Sequence, residues 1–204
     1  DAVKALAAVV QDKKDTVCVR KSAANSLAPK TSGSLPPFTS DYAVKALAAV
    51  VQDLGDDLSL REIAAKALAR THSDDAVKAL AAVVRDKNDT VWVRIRAAEA
   101  LADTRHDHAV KALAAVLQDL DEDFDLREVV AEALAPKTRD YAVKGLAAFV
   151  QDLDDDPDLR ALVASLPPFT NDYAVKALAA VVRNKNDTVC VRKRAAEALA
   201  GTGN

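Results

Sequence analysis

Along the first stretch of the chain, Val3, Leu6, Ala7 and Val10 are apolar while Lys4 and Gln11 are polar. Spacings of three, four and seven residues gather on one side of a helix, which predicts an amphipathic helix from Ala2 to about Gln11 with Asp1 as its N-cap. Asp12-Lys13-Lys14-Asp15 breaks the pattern. Thr16 then opens a second helix carrying Val17, Val19, Ala23, Ala24 and Leu27, which ends near Pro29 because proline cannot continue a helix. The unit is therefore a helix, a short polar turn and a second helix. Its signature, Ala43-Val44-Lys45-Ala46-Leu47-Ala48-Ala49-Val50-Val51, returns with little change at Ala2, Ala76, Ala109, Ala142 and Ala174. The intervals are 41, 33, 33, 33 and 32 residues, a period that marks a helical repeat array. Repeats are expected at about 1–40, 41–73, 74–106, 107–139, 140–171 and 172–204, in one continuous domain over 1–204.

Two segments interrupt the period. Gly33 to Ser40 lengthens the first interval by eight residues, and Ser165-Leu166-Pro167-Pro168-Phe169-Thr170 replaces the end of the second helix in repeat five. Paired prolines force an extended path. Phe38 and Phe169 then either tuck over the core edge or stand in exposed binding loops.

Composition adds limits. Half of the residues are apolar, so a core is available, but only 4% are aromatic, which suits closely packed helices of Ala, Val and Leu. A net charge of −3 argues against general binding to nucleic acid or an anionic membrane. No apolar run approaches the roughly 18 residues that span a bilayer. Cys18 and Cys190 share one repeat position with four repeats between them, too far for a disulfide, and read as small buried hydrophobes. Free thiols fit a reducing compartment, and a cytoplasmic location is expected.

Catalytic and metal chemistry finds no footing in the sequence. His106-Asp107-His108 lacks a third ligand, and His72 stands apart. Asp119, Asp121, Asp123 and Asp125 resemble a calcium loop, but Phe124 replaces its glycine and Val130 its bidentate glutamate. These acids are expected to cap helix N-termini instead. Five glycines make no phosphate loop, and there is no serine elbow or Cys–His pair. The expectation is no catalytic residue, no metal and no cofactor.

Asp75-Ala76-Val77-Lys78-Ala79-Leu80 followed by Val93-Arg94-Ile95-Arg96-Ala97-Ala98-Glu99-Ala100-Leu101 resembles the HEAT-like repeat, in particular the type named after phycobilisome lyases. The resemblance covers residues 1 to about 200. It implies an all-α fold, a right-handed α-solenoid (superhelix) of about six helix–turn–helix HEAT-like repeats. In such arrays a turn Asp and a second-helix Arg form a ladder, which here implies Asp12 with Arg20, Asp53 with Arg61, Asp86 with Arg94, Asp119 with Arg127 and Asp152 with Arg160; Asn184 faces Arg192. The His-Glu pairs of metal-binding HEAT-like hydroxylases are absent.

The resemblance also implies that second helices line a concave ligand face. Its variable positions are Lys21, Ser22 and Asn25; Glu62, Ile63 and Lys66; Ile95, Arg96 and Glu99; Glu128, Val129 and Glu132; Ala161 and Leu162; Lys193, Arg194 and Glu197. Trp92 reads first as a core or inter-repeat wedge and second as an anchor on that face. The leading functional expectation is a non-enzymatic protein-binding scaffold. The alternatives are an accessory factor or lyase for a phycobilin-carrying protein, by resemblance, and a structural protein that self-associates. The last follows from end repeats as apolar as internal ones: Ala2, Ala5 and Val9 are expected to lack a neighbour, whether in a piece of a longer array or in a homo-oligomer joined by its ends.

Overall fold

The computed structural model describes residues 2–28, 40–71, 73–104, 106–117, 119, 121–134, 146–147, 149–151, 157–165 and 172–201. Among them the chain is all helix and turn, an α-solenoid fold of helix–turn–helix repeats: α1 (Ala2–Gln11), α2 (Val17–Leu27), α3 (Asp41–Gln52), α4 (Leu58–Ala69), α5 (Asp74–Arg85), α6 (Val91–Ala102), α7 (Asp107–Leu117), α8 (Phe124–Leu134), α9 (Pro157–Ser165), α10 (Asp172–Arg183) and α11 (Val189–Gly201). Residues 146–147 and 149–151 are also helical. The predicted first helix and the start and end of the second are observed as expected, while Asp1, the expected cap of the first, lies outside the described residues.

The chain divides into two compact units, Asp1–Ala109 and Val110–Asn204. In the first, α1, α3 and α5 pack side by side in one layer and α2, α4 and α6 in another. Each first helix also packs on the second helix of its own repeat. In the second unit α11 packs against both α9 and α10, and α9 touches α8. Small side chains permit the close approach. Ala64, Ala65, Ala97 and Ala98 are fully buried between layers, with Leu47, Leu60, Leu68, Leu80 and Leu101 filling the space around them.

Each described repeat turn is built by two side chains. The first is an Asx turn: Asp12, Asp53, Asp86, Asp119 and Asn184 each accept the amide two residues on, at 2.9–3.2 Å. The second is an N-cap: Thr16, Asp57 and Thr90 accept the amides of Val19, Leu60 and Val93, which satisfies a donor that the helix leaves open. The expected calcium-like acids do the same work. Asp119 accepts from Asp121, and Asp123 from Asp125 and Leu126. No cluster of three or more metal-ligating side chains occurs among the described residues.

The arginine ladder is present, and for Arg20 and Arg61 the described partner differs from the expected Asp12 and Asp53. Arg20, Arg61 and Arg160 are buried and reach the turn acid of the following repeat. Arg20 Nη1 and Nη2 donate to Asp56 Oδ1 and Oδ2 at 2.7 and 2.6 Å. Arg160 makes the same fork on Asp187 at 2.9 and 2.7 Å, and Arg61 on Asp89, with Nη1 at 2.8 Å from Oδ1 and Nη2 on Oδ2. Each guanidinium also donates backward to the last turn of its own first helix: Arg20 Nε to the Val10 carbonyl at 2.8 Å, Arg61 Nε to Val51 at 3.0 Å and Arg160 Nε to Val150 at 3.0 Å. Arg94, Arg127 and Arg192 keep this backward bond, to Val84, Leu117 and Val182. The ordinary ladder Asp is occupied by its Asx turn, so the acid three residues later, Asp56 after Asp53 and Asp89 after Asp86, is the one free to meet the preceding repeat. Asp152 lies outside the described residues. One buried fork thus ties a first helix, a second helix and the next turn. Its charge-assisted bonds to Asp56 hold the Arg20 guanidinium above its ordinary pKa, against the opposing effect of burial.

Candidate functional site

Where a second helix packs inward with its alanines and leucines, its opposite side is left with the residues that differ most from repeat to repeat. In the first unit these belong to α2, α4 and α6. On α4 and α6 they meet in one connected patch. Lys66 Nζ lies 2.5 Å from Glu62 Oε1, one helical turn away. Glu62 also faces across to α6, where Arg96 Nε stands 3.7 Å away. Arg96 Nη1 donates to both oxygens of Glu99, at 3.1 and 2.8 Å. That hydrogen bond, more than any other influence, raises the Arg96 pKa above its ordinary value.

Trp92 completes the patch. The Arg96 guanidinium carbon sits 5.1 Å from the centre of a Trp92 ring, within cation–π range. Trp92 is 39% exposed, so it is neither core residue nor buried wedge, which corrects the first reading of it. Cys18 and Cys190 occupy the same repeat position and are exposed too, against the expectation that they are buried. The reason lies in helix geometry. The position sits between the residue that enters the core (Val93, fully buried) and the helix start, on the side turned away from both layers. Other repeats carry Ser59, Asp125 and Asp158 there, polar residues that signal an exposed position in the sequence itself.

Of the other positions expected on this face, Ile63 and Ile95 are half-buried beside the patch, and Ser22 and Asn25 are exposed on α2. Lys21 turns away to the next turn, where its Nζ lies 3.0 Å from Asp57 Oδ1. In the second unit, Glu128 and Val129 are half-buried and Glu132 exposed on α8. Lys193 and Arg194 both approach Glu197 on α11, at 3.8 and 3.2 Å. Ala161 is buried rather than displayed. Phe38, Phe169 and the side chain of Leu162 lie outside the described residues, as does His72. His106 Nδ1 stands 3.2 Å from Asp74 Oδ1 and joins no metal-ligating group among the described residues.

Sequence reasoning passed over one set of charged residues. Lys13 Nζ lies 2.5 Å from Asp53 Oδ2, so repeats one and two are joined at the turn edge by this pair as well as by Lys21–Asp57. These lysines hold Asp53 and Asp57 below the usual carboxylate range. The alternation of basic and acidic turns along the sequence is the signal that points to them.

Residues 43–135 match the family model of HEAT repeats. No curated protein matches the sequence. Among solved structures, the chain is similar to human deoxyhypusine hydroxylase in complex with glycerol, with a TM-score of 0.43 and 18% identity, over 99% of this chain and 85% of that one. It is also similar to the complex of CpcE and CpcF of phycocyanin lyase from Nostoc sp. PCC7120, with a TM-score of 0.41 and 17% identity, over 98% and 94%. No helix among the described residues is long and apolar enough to cross a membrane.

Proposed function

We propose that this array, with HEAT repeats over residues 43–135, is a non-enzymatic scaffold that binds another protein through the outer face of its second helices. The observation that supports the reading is the exposure of Trp92, the single tryptophan of the chain, on that face. A large aromatic half out of water on a rigid helix is a favoured anchor at protein interfaces. The residues around it define what it suits. Glu62, Lys66, Arg96 and Glu99 alternate in sign around an apolar centre of Trp92, Ile63 and Ile95. The fitting partner has an apolar knob or groove bordered by both charge signs. Because the four charges already pair with one another, covering them leaves no lone buried ion. The buried fork of Arg61 on Asp89 ties α4 to the turn that leads into α6, which limits the ordering cost of binding. Lys21, Ser22 and Asn25 on α2, and Glu128, Val129, Glu132, Lys193, Arg194 and Glu197 in the second unit, extend the same class of surface.

The test uses the lone indole. The chain is immobilised, bound proteins are recovered from cell extract, and each is purified and titrated against free chain while the tryptophan emission is followed. A blue shift on binding, together with at least about 30-fold weaker binding to Trp92→Ala, is the expected result, the loss being that of a hot-spot residue. Binding that leaves the emission unmoved, or that Trp92→Ala and Arg96→Glu both leave intact, overturns the assignment of this face.

A further inference from the structure

The exposed face of α4 and α6 changes character along its length. Where the two helices begin it is apolar, with Trp92 39% exposed on α6 and Leu58 45% exposed on α4. In the middle Ile63 and Ile95 are half-buried, and the pair that bridges the helices, Glu62 and Arg96, keeps only 19% and 33% of its side-chain surface. Two turns beyond Trp92 the charges open to water: Lys66 is 63% exposed and Glu99 43%. Each reaches inward to one member of the bridge, Lys66 to Glu62 and Glu99 to Arg96. Each also keeps capacity for an outside partner, because an ammonium has three donors and a carboxylate about four acceptor sites.

Lys66 and Glu99 hold the same register on neighbouring helices, 33 residues apart in sequence. These helices pack side by side and run the same way, since Arg61 near the start of α4 forks onto Asp89 just before the start of α6. The two charges therefore stand at equal height, one on each side of the α4–α6 seam, on helix axes about 8–10 Å apart. That separation is close to the diameter of a helix with its side chains, about 10 Å.

We propose that an amphipathic α-helix of a partner protein lies lengthwise on this seam. Its apolar face covers Trp92, Ile63 and Ile95, an acidic side chain on its α4 flank meets Lys66, and a basic one on its α6 flank meets Glu99. The inference rests on the scaffold reading of this face and adds the kind of segment that it takes. Spacing selects a helix over an extended chain. On α6 the contact points Trp92, Ile95 and Glu99 lie three and seven residues along, roughly 5 and 10 Å at 1.5 Å per residue, which are the one-turn and two-turn spacings of a second helix. Side chains on one face of a strand repeat at about 7 and 14 Å and fall out of step. Charge selects the flanks. An all-acidic helix meets repulsion at Glu99 and an all-basic one at Lys66, so only a helix with one sign on each flank satisfies both. The docking is that of a helix in a groove, anchored by its apolar side.

The probes that test this are synthetic helical peptides of about 18 residues, long enough to cover the seam. They share a leucine face and contain no tryptophan, so the emission of the 204-residue chain reports Trp92 alone. One peptide carries Glu along one flank and Lys along the other, a second Glu on both, a third Lys on both, and a fourth is the mixed peptide with a central proline. The mixed peptide is expected to bind with a blue shift, at least about fivefold tighter than either single-sign peptide. Proline is expected to weaken it about tenfold or more by breaking the helix. Lys66→Ala brings the all-Lys peptide level with the mixed one, and Glu99→Ala does the same for the all-Glu peptide. The proposal is overturned if no peptide binds, if the proline peptide binds as well as its parent, or if a single-sign peptide matches the mixed one on the unaltered chain. In any of those cases a partner from cell extract that still shifts the Trp92 emission leaves the scaffold reading standing. If no such partner shifts it either, the assignment of the face falls as well.

Discussion

A buried guanidinium is the most demanding residue in this fold, and its position tells what each repeat needs. Arg61 and Asp89 are almost wholly out of water, and their fork sits where helix, helix and turn converge. Removing one partner strands the other, so Asp89→Ala is expected to destabilise by about 3–5 kcal/mol in urea unfolding, while the double change Arg61→Met with Asp89→Leu costs much less. A double variant as unstable as the single one counts against the argument. The arginines were legible in the sequence because they recur after each Val or Leu that opens a second helix. Their partners were not, because in the first five turns two acids stand three residues apart, as Asp53 and Asp56 do, and only the stacking of neighbouring repeats decides between them. The exposed pairs Lys13–Asp53 and Lys21–Asp57 give a second residue-scale expectation. Both carboxyls are depressed in the folded chain, so the unfolded chain binds more protons in the acid range and stability rises with pH there. Their contribution is complete above the ordinary aspartate value of about 3.9 and is lost as pH falls through the lower folded values. Melting temperature followed from pH 6 to 3 is expected to fall below about pH 4, and less steeply in Lys13→Ala/Lys21→Ala.

At the scale of elements, helix starts were the most readable feature, since a cap residue needs only local geometry. Ser73 accepts the Ala76 amide at 3.1 Å and opens α5. Ser73→Ala is expected to cost about 1 kcal/mol and Ser73→Asp to restore most of it. What the apolar pattern misassigned was the position of Cys18, Trp92 and Cys190, where a hydrophobic residue near a helix start looked like core. Helical spacing places it between the core stripe and the solvent side, and the polar Ser59, Asp125 and Asp158 at the same register, which no core position would hold, mark it as exposed. Two thiols per native chain are accordingly expected to react with a thiol reagent without denaturant. Slow reaction until urea is added, for either cysteine, shows that position to be buried. The patch around Trp92 was legible only as a set of variable positions. Its connection through Glu62 depends on the distance between α4 and α6, which no single helix encodes.

At the scale of the whole molecule, repetition was legible from the period alone, because each repeat meets the same requirement: a face that only a neighbour can cover. Stability in such an array is a sum over repeats and the contacts between adjacent ones, so damage is felt first where it is made. The Arg61–Asp89 fork bridges the second and third repeats, and the Arg160–Asp187 fork does the same in the second unit. Hydrogen exchange separates the two cases. In Asp89→Ala, amides of α4, α5 and α6 are expected to lose protection by the full cost of the broken fork, while those of α9 and α11 keep theirs. Asp187→Ala is expected to reverse the pattern, opening α9 to α11 and sparing α4. Equal loss of protection in both units from either change requires global cooperativity to override the nearest-neighbour contacts, and the forks then stabilise the molecule as a whole instead of acting as separate joints.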